Sequence, residues 1–109
     1  MIDRQSGKMI AKEFKIQFHN ILFATSFNIK KNYLKFIAVG GVEYYKRLSL
    51  KDVVSINDNF IFIAKDTIVN ISKIDRRYEW IYLWSGEYRF KVSRHYRQEV
   101  KTRFDQLVL

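Results

Sequence analysis

The positive charge of this 109-residue chain gathers at three places, and any chemistry it performs should lie there. Arg94, Arg97 and Lys101 form one cluster, Lys30 and Lys31 stand side by side in a polar run over residues 26–32, and Lys65 sits with Asp66 and Thr67 between two apolar runs. Guanidinium and ammonium groups pair with phosphate or carboxylate, and arginine offers two parallel N–H groups to one acceptor edge. The chemistry these residues imply is recognition of a polyanion. Bond-making machinery is absent from the sequence: it has no glycine-rich phosphate loop, no H-E-x-x-H pair and no nucleophile elbow. Its two histidines, His19 and His95, lie far apart, and His19 falls in a polar turn. The chain reads as a binding module and not an enzyme, with no catalytic residue, metal ligand or cofactor assigned.

Something rigid must present those cations, and periodicity says what. Over residues 86–92 the chain alternates, Tyr88, Phe90 and Val92 to one side and Arg89, Lys91 and Ser93 to the other, as a strand does. At Ser93 the period changes. Tyr96, Val100, Phe104 and Leu107 then line one face of a helix, and Ser93 is placed to cap it with its side-chain oxygen. A strand running into a capped helix would hold Arg94 and Arg97 firmly at the junction.

Upstream, residues 1–12 read as a leader or linker remnant and residues 13–109 as one domain. Alternation of Phe14, Ile16 and Phe18, a turn at His19 and Asn20, and the apolar run from Ile21 to Ala24 predict two strands. Residues 26–32 predict an exposed loop. Tyr33 to Val39, the pair Gly40 and Gly41, and Val42 to Arg47 predict a hairpin with a two-residue turn. A short helix follows over residues 48–56, capped by Ser49 and ended by Asn57, Asp58 and Asn59, although Val53 and Val54 are a poor helical pair. Residues 60–69 predict a strand broken at Lys65, Asp66 and Thr67, and residues 70–75 irregular chain or one helical turn. Arg76 and Arg77 then introduce a strand from Tyr78 to Trp84 that pairs across a Ser85–Gly86 turn with the strand described above. The sum is a mainly β fold of small antiparallel sheets packed together with two short helices, the second at the C-terminus.

A chain of this length buries roughly 60–70% of its unfolded surface and folds without staples. It has no cysteine, which fits a reducing cytoplasm. The first residues lack a signal-peptide core, and the longest apolar run, residues 60–64, is too short to span a bilayer. A net charge of +9 favours nucleic acid or an anionic membrane surface as partner, with cations placed merely for solubility as the plain alternative. Nine phenylalanines, seven tyrosines and two tryptophans invite a base-stacking reading, but aromatics at strand alternation are more often core.

At this level of detail the chain resembles the LytTR-type DNA-binding domain found at the C-terminus of many bacterial response regulators. The resemblance runs from about Ile16 to Phe104. The family's opening pattern, like D-I-L-Y-I-E-A, is similar to Asn20-Ile21-Leu22-Phe23-Ala24-Thr25. Its N-Y, glycine turn, E-Y and L-K-E-L are matched by Asn32-Tyr33, Gly40-Gly41, Glu43-Tyr44 and Leu50-Lys51-Asp52-Val53. The block F-x-R-x-H-[RK]-S-x-x-V-N is represented by Phe60, Lys65, Val69 and Asn70, and the last, G-x-x-I-x-V-S-R, by Gly86, Phe90 and Val92-Ser93-Arg94. Phe62, Ala64 and Asp66 stand where the family usually has arginine, histidine and serine, and the loop before Tyr33 is about two residues longer than the family pattern.

The resemblance implies a transcriptional regulator's output domain that reads double-stranded DNA through loops in successive major grooves. Carried over position by position, it implies base contacts from Asn32 or Tyr33, from Lys65 and from Arg94, with backbone contacts from Lys30, Lys31, Lys91, Ser93, His95 and Arg97. Arg94 can equally be a solvated first-turn residue paired with Gln98, Lys65 an ordinary turn lysine, Tyr33 a core residue, and His95 the cover of an apolar edge. Two half-sites in direct repeat also follow from the resemblance, and the domain is then either a response regulator's output domain with a receiver upstream in the native chain or a stand-alone member of the family. With no coiled-coil heptad, cysteine or long apolar surface helix to pair through, it is expected to be a monomer when free. The competing reading is a small basic β-domain whose rim meets anionic lipid or a protein, with exposed Trp80 or Trp84 at the interface, or one that binds single-stranded nucleic acid.

Overall fold

In the computed structural model the described residues are 17–75 and 81–108. The strand expected over residues 9–16, and the segment 76–80 with Arg76, Arg77, Tyr78 and Trp80, lie outside them. So does the side chain of Leu107.

Among the described residues, seven strands and two α-helices follow in the order β1 (Ile21–Thr25), β2 (Leu34–Ala38), β3 (Glu43–Lys46), α1 (Leu50–Ile56), β4 (Phe60–Ala64), β5 (Thr67–Asn70), β6 (Tyr82–Ser85), β7 (Tyr88–Lys91) and α2 (Arg97–Val108). The first five strands make one antiparallel sheet in the order β3-β2-β1-β5-β4, and β6 and β7 form a separate hairpin. The mainly β architecture with a C-terminal helix agrees with the sequence expectation.

The large sheet is buried on both faces. On one, Leu50 and Val53 of α1 pack with Ile21, Ala24, Phe36 and Phe60. On the other, Val100 and Phe104 of α2 and Leu83 of β6 pack with Ile61, Ile63 and Val69. A regular strand would put Ile21 and Ala24 on opposite faces, yet both serve the first core. The β1–β2 register shifts between Ile21 and Phe23, so one extra residue is absorbed there as a bulge. Phe23 is thereby free to join the second core, with its ring 4.7 Å from that of Phe90.

Several local expectations hold. The Ser49 Oγ accepts from the Asp52 N–H at 3.1 Å, and α1 ends at Asn57. Val53 is fully buried, so packing outweighs the helical reluctance of the Val53-Val54 pair. The chain turns through Phe18–Asn20 and makes a single 3-10 turn at Ile71–Lys73.

Three details differ. The β2–β3 loop is the three-residue Val39–Gly41 and not a two-residue turn; Gly40 and Gly41 both have positive φ, and Val39 is drawn in because Ala38 pairs with Val42. In the last hairpin the turn is Gly86 and Glu87, since Ser85 is a buried strand residue whose Oγ donates to the Lys73 carbonyl. The Ser93 side chain does not cap α2: a 3-10 turn, Arg94–Tyr96, intervenes, the Ser93 carbonyl accepts from the Tyr96 N–H, and the helix starts at Arg97.

Asn70 is the one fully buried amide side chain in the described core. Its Nδ2 donates to the Ile21 carbonyl at 2.8 Å, and its Oδ1 accepts from Ser72 Oγ at 2.7 Å and from the Ser72 N–H at 3.0 Å. It therefore joins the end of β5 to the start of β1 and fixes the 3-10 turn that follows. Asn70→Ala removes the donor to the carbonyl of buried Ile21 and the acceptor that holds Ser72, so it should destabilise the fold by about 1–3 kcal/mol. Urea denaturation checks this, and a loss under about 0.5 kcal/mol would show that the network is not structural.

Candidate nucleic-acid interface

Three connecting segments converge at one end of the large sheet: residues 26–33 between β1 and β2, Lys65 and Asp66 between β4 and β5, and residues 92–96 between β7 and α2. Convergence is enforced by backbone hydrogen bonds. The Asp66 carbonyl accepts from the Ser26 N–H at 2.9 Å and from Thr25 Oγ1 at 2.9 Å, fastening the first segment to the second. The Ser93 N–H donates to the Ile63 carbonyl at 2.8 Å, which fastens the third to the otherwise free edge of β4.

The first segment is two consecutive turns. Ile29 N–H donates to the Ser26 carbonyl and Tyr33 N–H to the Lys30 carbonyl, with Asn28 at φ 57° and Asn32 at φ 69° in the third position of each. Asparagine tolerates this left-handed backbone better than other non-glycine residues, so it is well suited to a loop of this shape. Lys30 and Lys31 are exposed, and the Lys30 ammonium lies 5.2 Å from the Tyr33 ring centroid.

An open groove of about 780 Å3 runs between these segments. Asn32, Tyr33 and Lys65, all candidate base contacts from the sequence, line it. A smaller cleft of about 460 Å3 shares Lys65 and Tyr96 and adds Ser93 and His95, and a third, of about 420 Å3, holds Lys30 beside Tyr33. Lys31 and Arg94 are exposed neighbours of these residues but line none of the three. Lys91 is exposed on β7, opposite Tyr82. Arg97 is half-buried and its Nε donates to the Val92 carbonyl at 3.1 Å, so part of its guanidinium braces the junction.

Tyr33 and His95 both keep solvent-accessible surface in this arrangement. Tyr33 is half-buried just before β2 and its ring faces the groove as well as Lys30; His95 is exposed, 5.0 Å edge-on from Tyr96. Sequence reasoning missed the floor. Phe62 and Tyr96 stack there at 6.1 Å with planes 21° apart, and both line the groove. Tyr96 was legible as apolar from its helical spacing, but its contact with Phe62 joins elements more than thirty residues apart and has no local signal. Where the family pattern carries arginine, this chain has an aromatic floor.

The model of the LytTr DNA-binding domain family matches residues 11–105. The chain belongs to the LytTR family of DNA-binding domains. Its function is accordingly DNA binding in transcription regulation. Among solved structures, the chain is similar to the LytTr DNA-binding domain of a Bacillus cereus protein named as a methyl-accepting/DNA response regulator. The two share 18% identity over 80% of this chain and 83% of that one, with a TM-score of 0.64, so the likeness is one of fold. No curated protein matched. Among the described residues of this LytTR domain, no helix is long and apolar enough to cross a membrane, and no cluster of His, Asp or Glu could hold a metal ion.

Asp66 lines the smaller cleft beside Lys65, where a phosphate would meet its carboxylate. The Asp66 Oδ1 accepts from Thr67 Oγ1 at 3.1 Å, which anchors the carboxylate without neutralising it. Asp66→Asn keeps an acceptor for Thr67 and removes the repulsion. It should tighten binding to duplex DNA several-fold in 0.1 M salt, with the gain shrinking as salt rises. Fluorescence anisotropy at two salt concentrations measures this; unchanged or weaker affinity at low salt would mean that no phosphate approaches the β4–β5 turn.

Proposed function

We propose that this domain reads a specific duplex DNA sequence through the three converging segments, each entering or bordering a major groove. The observation that supports the reading best is the meeting of Asn32, Tyr33 and Lys65 on one groove whose adjoining cleft carries Ser93 and His95. Loops held by a two-faced sheet can carry precise contacts without a recognition helix. In this reading Arg94 offers its fork to guanine O6 and N7, Lys65 and Asn32 or Tyr33 reach neighbouring base edges, and Lys30, Lys31, Lys91, Ser93, His95 and Arg97 hold phosphates that set the register. The domain works in the cytoplasm, where its DNA is, as the output module of a response regulator whose receiver precedes it in the native chain.

Base reading and backbone positioning separate in one experiment. For the wild-type domain, log K against log salt should fall with a slope of about −0.9 for each phosphate held. Arg94→Ala should cost about 1–3 kcal/mol on the specific site and much less on random duplex, while Lys91→Ala weakens both alike. A wild-type slope near zero would refute duplex binding, and equal losses for the two variants would demote Arg94 to a phosphate contact.

A single domain of this size covers about one helical turn, too few base pairs at roughly 1–3 kcal/mol each to select a site in a genome. Two copies on a direct repeat supply the remainder, each copy a monomer until DNA or the receiver brings them together. Sedimentation at micromolar protein should show a monomer alone and two copies on a two-site duplex. A stable dimer without DNA would place a dimer interface within this chain.

A further inference from the structure

The groove has a second wall that the proposed contacts leave unused. It is formed by the segment between β3 and α1, which carries Arg47, and by the first turn of α1, which carries Lys51. Both are exposed, and among the described residues neither makes an ion pair or a hydrogen bond. Some cations elsewhere are engaged, Lys35 with Glu43, Arg97 with the Val92 carbonyl, Arg103 with the Asp58 carbonyl and Arg89 over the Tyr82 ring, whereas Arg47 and Lys51, like Lys65, are left to the groove. Across the groove stands Lys65, so its lining holds three cations against the one carboxylate of Asp52. Concave surfaces lined by one sign of charge concentrate an oppositely charged ligand more than the same charges on a convex surface do.

We propose that Arg47 and Lys51 form a phosphodiester-binding site on this second wall, so that one DNA strand lies along the groove between them and Lys65. The inference rests on the duplex-binding reading above and extends it to a fourth segment of the chain. The stacked rings of Phe62 and Tyr96 are the floor beneath that strand. They offer no donor row for phosphates, which leaves the two walls to hold the charge. Arg47 and Lys51 therefore set how deeply the domain seats, and with it the register in which Lys65 and Asn32 meet base edges, without themselves reading sequence.

The test compares the wild-type domain with Arg47→Gln/Lys51→Gln on a specific and a random duplex over a salt series. Loss of two phosphate contacts should make the slope of log K against log salt shallower by about 1.8. Affinity at low salt should fall on the order of ten-fold on both duplexes alike. Arg47→Lys combined with wild-type Lys51 should keep the wild-type slope, because charge and not geometry is what a phosphate requires there. Both residues are exposed, so urea midpoints should match, and a melting control excludes a folding defect. If the wild type binds with a steep slope and the double variant keeps it, the second-wall site is refuted while duplex binding stands. A loss confined to the specific duplex also refutes it, since that would be base reading. If the wild type itself fails to bind duplex DNA, the underlying reading falls instead.

Discussion

The geometry of this domain turns on one backbone carbonyl, that of Asp66, which accepts from both the Ser26 N–H and the Thr25 hydroxyl. Through it the long β1–β2 segment takes its position from the β4–β5 turn instead of from its own length. The third segment is referred to the same hairpin by the Ser93 N–H on Ile63. Three connections that are independent in sequence are thus indexed to one pair of strands. Those strands cannot shift, because β4 and β5 contribute Phe60 and Ile68 to one core and Ile61, Ile63 and Val69 to the other. A slip of one residue would exchange the two sets of side chains between faces. The rigidity that the proposed base reading requires is therefore a consequence of cores on both sides of β4 and β5.

What the sequence disclosed and what it withheld divide along physical lines. Elements whose signal is local were legible: the Ser49 cap, the Asn57 stop, the break at Lys65 and Asp66, and the outward Arg89 and Lys91 against inward Phe90 and Val92. Errors came where a tertiary contact decides a local choice. Ser85 left its expected turn because its hydroxyl has a buried partner at Lys73. Ser93 did not cap α2 because the chain, held to β4 by the Ser93 N–H, enters the helix through a 3-10 turn at Arg94–Tyr96 that separates the two. The bulge near Leu22 could not be seen either, since its purpose is to reconcile an apolar run with two faces at once.

The same division holds for the site. The family pattern assigned candidate contacts one position at a time, and the fold then brings Asn32, Tyr33 and Lys65 to a shared groove although more than thirty residues separate the first from the last. The partners of those residues were not legible. Nothing in the spacing said that Phe62 would lie under Tyr96, or that Arg47 and Lys51 would close the groove from the opposite side. Side chains on different elements meet only through the sheet order β3-β2-β1-β5-β4, and that order is set by which strands can bury both faces.

Two of the departures from the family pattern, Phe62 and Asp66, bear on where charge lies around the groove. An arginine on β4 would place charge in the floor, next to Tyr96 and within reach of the apolar core that Phe62 helps to cover. Phenylalanine at this position moves charge out of the floor and leaves it on the walls and rims, at Lys30, Lys31, Lys65, Arg94, Arg47 and Lys51, all exposed. Exposed cations are well hydrated, and in the proposed reading each contributes to DNA binding mainly by displacing counterions and less by a desolvated pair. At Asp66 the backbone carbonyl fastens the first segment to the second, while in the proposed reading the carboxylate opposes a phosphate entering the cleft. Position and charge at this residue are separable, and for that reason an asparagine could keep the scaffold and relieve the repulsion.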